Sequence, residues 1–203
     1  MGFRKIFSKL LMNERGISIA IEKKRKLLSR ALSERMKHTI KYGPFSDMVF
    51  CDDYWWGGSD RAAMLLGIYE EEVLNSIMSV PKNYDIFIDL GAADGYYSVG
   101  SLISKKFRLS YSFEISDKGR AIIQKNATLN KVSHKLHIFG EATKNFYINI
   151  PKKDLNRAVI LIDIEGAEFS LLNSGLLSNL KKSIIFIELH DWFFEDGEKK
   201  WPN

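Results

Sequence analysis

Cysteine, proline and long apolar runs are scarce in this chain, and each scarcity removes a class of protein. With the single Cys51 among 203 residues, neither an internal disulfide nor a cysteine-rich zinc site can form, which fits a reducing compartment. Four prolines and 14 glycines exclude collagen-like and low-complexity chains. Four histidines are too few for a metal store. No stretch approaches the ~20 apolar residues of a membrane-spanning helix. The apolar run behind Phe3-Arg4-Lys5 is interrupted at Lys9 and lacks a small-residue cleavage pattern, which argues against a signal peptide. Ile6 stands where a myristoylation motif behind Gly2 needs Ser or Thr. A cytoplasmic protein is expected.

What remains is ordinary globular usage, 45% hydrophobic and 27% charged, enough for one domain of ~100–200 residues with an appendage. Charge is unevenly placed. The net charge is +5, yet residues 1–42 hold 12 Lys and Arg against 3 Asp and Glu, a local +9, which leaves −4 for the rest. This basic arm includes Lys23-Lys24-Arg25-Lys26. Ile17, Ile21, Leu27, Leu28, Ala31, Leu32 and Met36 recur along it at helix-compatible spacing, so it reads as a basic amphipathic helix packed on the domain by one stripe. Contact with an anionic membrane surface, a nucleic-acid backbone or an acidic partner is the other reading. The expected division is 1–59 for the arm with its aromatic-rich connection and 60–203 for the main domain.

Residues 43–60 are rich in turn formers and carry the pair Trp55-Trp56. A helix is expected over about 60–79, with Pro81 beyond its end. Short apolar runs then alternate with helical stretches: 85–90, helix 96–105, 109–115, helix 117–129, 136–139, 158–164, helix 167–180 and 183–189. Phe146–Ile150 alternates and reads as a short extra strand. Runs without polar alternation suit parallel strands covered on both faces, and their alternation with helices predicts an α/β, Rossmann-like doubly wound sheet with helices on both sides.

In such a sheet, ligands bind beyond the carboxyl ends of the strands where the order reverses. The first strand ends in Asp89-Leu90-Gly91-Ala92-Ala93-Asp94-Gly95-Tyr96-Tyr97, whose small residues allow a backbone turn to approach a ligand closely. A dinucleotide fingerprint would place Gly at 93 and leave the helix N-terminus free for a pyrophosphate. Here Ala93 stands instead, and Asp89 and Asp94 would repel a diphosphate while attracting a cation. S-adenosylmethionine, with an ammonium, a sulfonium and no phosphate, fits better. Glu114, at the end of the second run and followed by Ile115, lies near the ~20-residue interval at which an acid holds the ribose hydroxyls. Gly140-Glu141-Ala142, behind the third run, could meet the adenine amino group.

The fourth run leads into Asp163-Ile164-Glu165-Gly166-Ala167-Glu168. Asp163 and Glu165, two apart in extended chain, share a side, and the fifth run delivers Glu188-Leu189-His190 beside them. Such groups can position a hydroxyl or accept its proton, so His190 or Asp163 is the candidate proton acceptor and Glu165 the orienting group. The acids at 165 and 168 could equally stabilise the N-terminus of the next helix. A divalent metal on these oxygen ligands stays open, but none is predicted.

Together these blocks resemble the FkbM-type family of S-adenosylmethionine-dependent methyltransferases. The resemblance rests on Gly67-Ile68-Tyr69-Glu70, the 87–97 turn, Phe113-Glu114 with Asn126 and Asn130, the Asp163–Glu168 block and Ile187-Glu188-Leu189-His190. It implies a class I methyltransferase fold and methyl transfer to an oxygen, frequently of a sugar, a glycan or a natural product. It also implies cofactor contacts from Glu70, Asp89, Gly91, Ala92, Asp94, Gly95, Tyr96, Glu114, Ile115, Asn126, Glu141, Ala142 and Asp163. The family fold usually continues beyond Trp192 through a helix and two more strands, so the far edge strands are expected to be missing. Two alternatives stand beside an O-methyltransferase of saccharides or similar small acceptors. One is ribose methylation of nucleic acid, and the other is a cofactor-binding module without turnover.

Overall fold

The five apolar runs become strands: β1 (Ile86–Leu90), β2 (Leu109–Phe113), β3 (Leu136–Phe139), β4 (Ala158–Ile162) and β5 (Ile184–Ile187). The computed structural model describes the backbone of residues 3–190 and the side chains of residues 18–190. All pairings are parallel and the order is β3-β2-β1-β4-β5, with Leu90 level with Phe113 on one side and Ile162 on the other. This is the doubly wound α/β architecture expected. The order reverses between β1 and β4, so the loops that follow these two strands diverge and leave a crevice.

Alternate strand residues feed two cores. Phe87, Val159 and Leu161 pack with one apolar cluster that includes Leu65, Ile77, Val99 and Ile123. Those residues come from α2 (Arg61–Leu66), α3 (Glu71–Ser79), α4 (Tyr96–Ile103) and α5 (Asp117–Leu129). Ile86, Ile88, Leu90, Ile160 and Ile162 face the other cluster, with Phe146, Leu155, Leu171 and Leu180. Its helices are α6 (Lys152–Leu155), α7 (Glu168–Leu171) and α8 (Ser174–Leu180). Burial on both faces explains why the strands lack polar alternation. Ile40, Phe45, Met48 and Phe50, from the connection, belong to the first cluster.

Three expectations need correction. The helix over 60–79 is two helices, because Gly67 adopts φ 72° and ends α2 as a Schellman turn, its amide bonding Met64 and that of Ile68 bonding Ala63. A side chain at 67 would also collide with the Tyr42 carbonyl, 2.2 Å from an added Cβ. Likewise the stretch 167–180 is divided at Asn173, whose Oδ1 caps α8 by accepting from the Leu176 amide at 3.0 Å. Phe146–Asn149 is a 3-10 turn rather than a strand: Phe146 and Ile150 are buried, but Ile148, which a strand would set on the same face, is exposed.

The arm is helical over Phe3–Arg35 (α1). Its contact stripe is the expected one only in part: Leu32 and Met36 pack on the first cluster, whereas Ile21, Leu27, Leu28 and Ala31 are exposed and Ser29 and Ser33 are buried instead. Ser29 Oγ donates to the Ser59 carbonyl at 2.9 Å and accepts from the Ala62 amide at 3.1 Å, and Arg25 pairs with Asp60. Small polar residues let the helix approach α2 closely, which larger apolar ones would prevent. The expectation about missing edge strands falls on residues 191–203, and those about Gly2 and the first residues also lie outside what is described. No described helix is long and apolar enough to cross a membrane.

Candidate functional site

The loops behind β1, β2, β3 and β4 enclose a cavity of about 320 Å3 at the sheet's reversal point. Its wall holds Asp89, Gly91, Ala92, Asp94, Tyr96, Glu114, Ile115, Glu141, Ala142, Asp163 and Glu165, so eleven of the residues singled out in the sequence converge. Six of them are carboxylates, and among the described residues no Lys or Arg lines the cavity. Glu70, Gly95, Asn126 and His190 lie outside the wall.

The turn behind β1 is shaped by close backbone approach. Gly91 has φ 95°, and a Cβ on it would fall 1.7 Å from the Asp163 carbonyl oxygen. Strand ends β1 and β4 are therefore in backbone contact where the cavity begins. Ala93 (φ 48°) and Glu165 (φ 53°) hold left-handed conformations uncommon for non-glycine residues. Such strain collects at ligand sites.

Each acid has distinct partners. Asp89 is fully buried and accepts from Ser98 Oγ at 2.5 Å; burial, partly offset by that hydrogen bond, pushes its carboxyl up to about 7. Glu114 accepts from the Ala93 amide at 2.8 Å and the Ser116 amide at 2.7 Å, so the second loop fixes the first. Asp94, expected to face a cation, instead accepts from the Trp55 and Trp56 amides at 2.7 and 3.1 Å and from Arg61 at 3.2 Å. It thereby holds the aromatic segment at the cavity, with Trp55 and Trp56 on the wall and exposed to solvent.

Asn126 is a clip, not a wall residue: its Oδ1 accepts from the Cys51 amide and its Nδ2 donates to the Asp94 carbonyl, at 2.7 and 2.8 Å. Gly95, at φ 80°, caps α4 against Ile123. Glu70 accepts from Tyr97 Oη at 2.8 Å, behind the wall.

Behind β4 and β5, His190 gathers four carboxylates. Its Nδ1 lies 2.9 Å from Glu168, and its Nε2 lies 3.4 Å from Glu165, 3.7 Å from Asp163 and 3.9 Å from Glu188. Burial depresses the imidazole pKa, but the hydrogen bond and charge of Glu168, with Asp163 and Glu165, outweigh it and leave the group raised. Burial, with Glu188 and Glu70 nearby, pushes Asp163 up to about 7 against the opposing pull of His190. Glu168 is completely buried and also accepts from the Ile164 and Gly166 amides, at 3.1 and 3.2 Å. It ties the loop to the histidine, which a reading as a helix-end charge alone did not anticipate. Phe113 and Tyr97, which lie in the motifs quoted above, also line the cavity, and Met64 joins them without a signal in the sequence, since core and cavity lining share one apolar pattern.

No family model matches the chain, and no curated protein matches it. Among solved structures it is similar to TrmK of M. capricolum, solved with S-adenosyl-homocysteine, at 19% identity and TM-score 0.43 over 56% of this chain and 49% of that one. An uncharacterised protein of Listeria monocytogenes serotype 4b shows 15% identity and TM-score 0.44, over 58% of this chain and 50% of its own. Precorrin 8w decarboxylase of Methanobacterium thermoautotrophicum shows 17% identity and TM-score 0.44, over 62% and 66%. The chain thus spans less than two thirds of each of these three proteins.

Proposed function

We propose that the chain is an S-adenosylmethionine-dependent O-methyltransferase of FkbM-like type that acts on a hydroxyl of a saccharide or a similar small acceptor. One observation carries this reading: among the described residues, the wall of the cavity at the sheet's reversal point holds six carboxylates, of which Arg61 pairs with one from behind, and no Lys or Arg. A phosphate-bearing cofactor would be repelled there, whereas a ligand with an ammonium and a sulfonium is attracted. The close approach at Gly91 supplies the cradle, and the residues present fit the cofactor.

When bound, S-adenosylmethionine supplies a methyl group made electrophilic by the sulfonium. Asp89, near the carboxyl end of β1, and Glu114, behind β2, are assigned to the cofactor side. Asp163, Glu165 and His190 are assigned to the acceptor, with Asp163 or His190 receiving the hydroxyl proton and Glu165 holding the sugar. Much of the acceleration in an in-line transfer comes from alignment, which these fixed loops serve. The exposed faces of Trp55 and Trp56 at the rim, next to carboxylates that accept from hydroxyls, suit a polyol with apolar ring faces.

Calorimetry with S-adenosylmethionine and its demethylated product tests the cofactor assignment. Binding of both is expected, weakened at least tenfold by Asp89→Asn and by Glu114→Ala in folded protein. No binding to the parent removes the reading. Release of the demethylated product with a member of a glycan panel identifies the acceptor, while binding without any transfer favours a module without turnover.

A further inference from the structure

We propose that Asp163, Glu165 and His190 form a site for one divalent cation of the manganese or zinc type. One donor atom from each lies within 4.8 Å of the other two. His190 Nε2 is 3.4 Å from Glu165 Oε2 and 3.7 Å from Asp163 Oδ1. Donors held ~2.1 Å from one ion stand roughly 3.0–3.5 Å apart in octahedral or tetrahedral arrangement, so the two His190 spacings are near those of a coordinated ion, and rotation of the half-exposed Glu165 side chain closes the remaining side of the triangle.

Two independent features go beyond a group of acids. The first is the orientation of His190. Glu168 is fully buried, and the same Oε1 that accepts from the Ile164 and Gly166 amides stands 2.9 Å from Nδ1, so that oxygen is an acceptor and the proton is kept on Nδ1. Nε2 is then the nitrogen turned toward Asp163 and Glu165. This carboxylate–imidazole pair is the usual support of a metal-ligating histidine, which sets both tautomer and ring angle. The second is Asp163 Oδ1, a buried oxygen without a hydrogen-bond partner among the described residues, and it is the atom that faces His190 Nε2. A cation at this point would satisfy it.

The donor set selects the ion. An imidazole with two carboxylates suits manganese or zinc better than the all-oxygen shells that magnesium and calcium prefer. Asp163 and Glu165 are also wall residues of the cavity, so the open coordination positions face the space where an acceptor would sit. Cation binding stands on these side chains alone. Its part in catalysis rests on the methyl-transfer reading above: in the loaded form the ion's charge, rather than a protonatable side chain, would lower the acceptor's pKa.

The full chain, freed of metal by chelation and without cofactor or acceptor, is titrated with Mn2+ while the electron paramagnetic resonance of free aqueous Mn2+ is followed. One equivalent should bind. Glu165→Gln, at a half-exposed side chain that folding does not need, and Asp163→Asn should each weaken it tenfold or more, and Glu168→Gln by 10- to 100-fold through the histidine. No saturable binding to the parent, or equal binding to the parent and both Glu165→Gln and Asp163→Asn, overturns the proposal. Cofactor calorimetry on the same samples is scored separately, so failure of one reading leaves the other measurable.

Discussion

Asp89 is a carboxylate whose burial opposes its charge, and that opposition has two measurable consequences. Its folded pKa of about 7 lies above the ~3.9 of an unfolded Asp, so the native state binds the extra proton and this group lowers stability as pH rises from about 4 to 7. Asp89→Asn, which keeps an oxygen for Ser98 Oγ, should therefore melt higher than the parent at pH 8 and not at pH 4, as thermal unfolding at the two pH values will show. A cationic ligand needs the ionised form. Its affinity should rise nearly tenfold between about pH 5.5 and 6.5, a unit below the range where an α-amino group itself titrates, and Asp89→Asn should flatten that slope. A pH-independent affinity in the parent would remove Asp89 from cofactor binding. Single residues were only partly legible in the sequence. Asp89, near the carboxyl end of β1, and Glu114 and Asp163, directly behind β2 and β4, reach the cavity by topology alone. Asp94 and Asn126 bond instead to a segment more than 30 positions away, and no local pattern announces such partners.

The two ends of the parallel strands divide the labour. At the carboxyl end, the turn behind β1 admits no side chain at Gly91. Gly91→Ala puts a Cβ against the Asp163 carbonyl at φ 95° and should cost ~1–3 kcal/mol in chemical unfolding, together with cofactor binding. At the amino end, the buried Asp154 of α6 accepts from Tyr111 Oη at 2.8 Å and Arg108 at 2.6 Å, with Asp85 pairing Arg108 and Arg157 alongside. Burial and this carboxylate push Tyr111 up to about 12. Asp154→Ala leaves the Tyr111 hydroxyl buried without its acceptor and should cost about 2 kcal/mol by urea unfolding, with cofactor affinity within twofold of the parent. A matching loss of affinity would show that the two ends are coupled. Whole elements were more legible than residues: α5 runs Asp117–Leu129 as read from the sequence, because Ser116 caps it by accepting from the Gly119 amide. Helix breaks at Gly67 and Asn173 were missed because the apolar period continues across both, and the reversal comes from backbone geometry rather than from a change in hydrophobicity.

Over the whole chain, charge is separated as well as hydrophobicity. The 42-residue arm carries +9 and the remainder −4, and the acidic cavity belongs to the second part. Arg25 is used in docking to Asp60, whereas Lys23, Lys24 and Arg30 are exposed on α1 beside Leu27 and Leu28. A polyanion would therefore meet the arm and be repelled by the cavity, which separates surface attachment from the choice of acceptor. Binding of single-stranded RNA, measured from low to high salt, should weaken with a steep log–log slope. Lys23→Gln/Lys24→Gln/Arg30→Gln should reduce that slope by about 2, the loss of three phosphate contacts at ~0.7 each. Cofactor affinity should stay unchanged, since none of the three residues lines the cavity. An unaltered slope would move any polyanion contact off the arm and onto the α/β domain, against its own net charge.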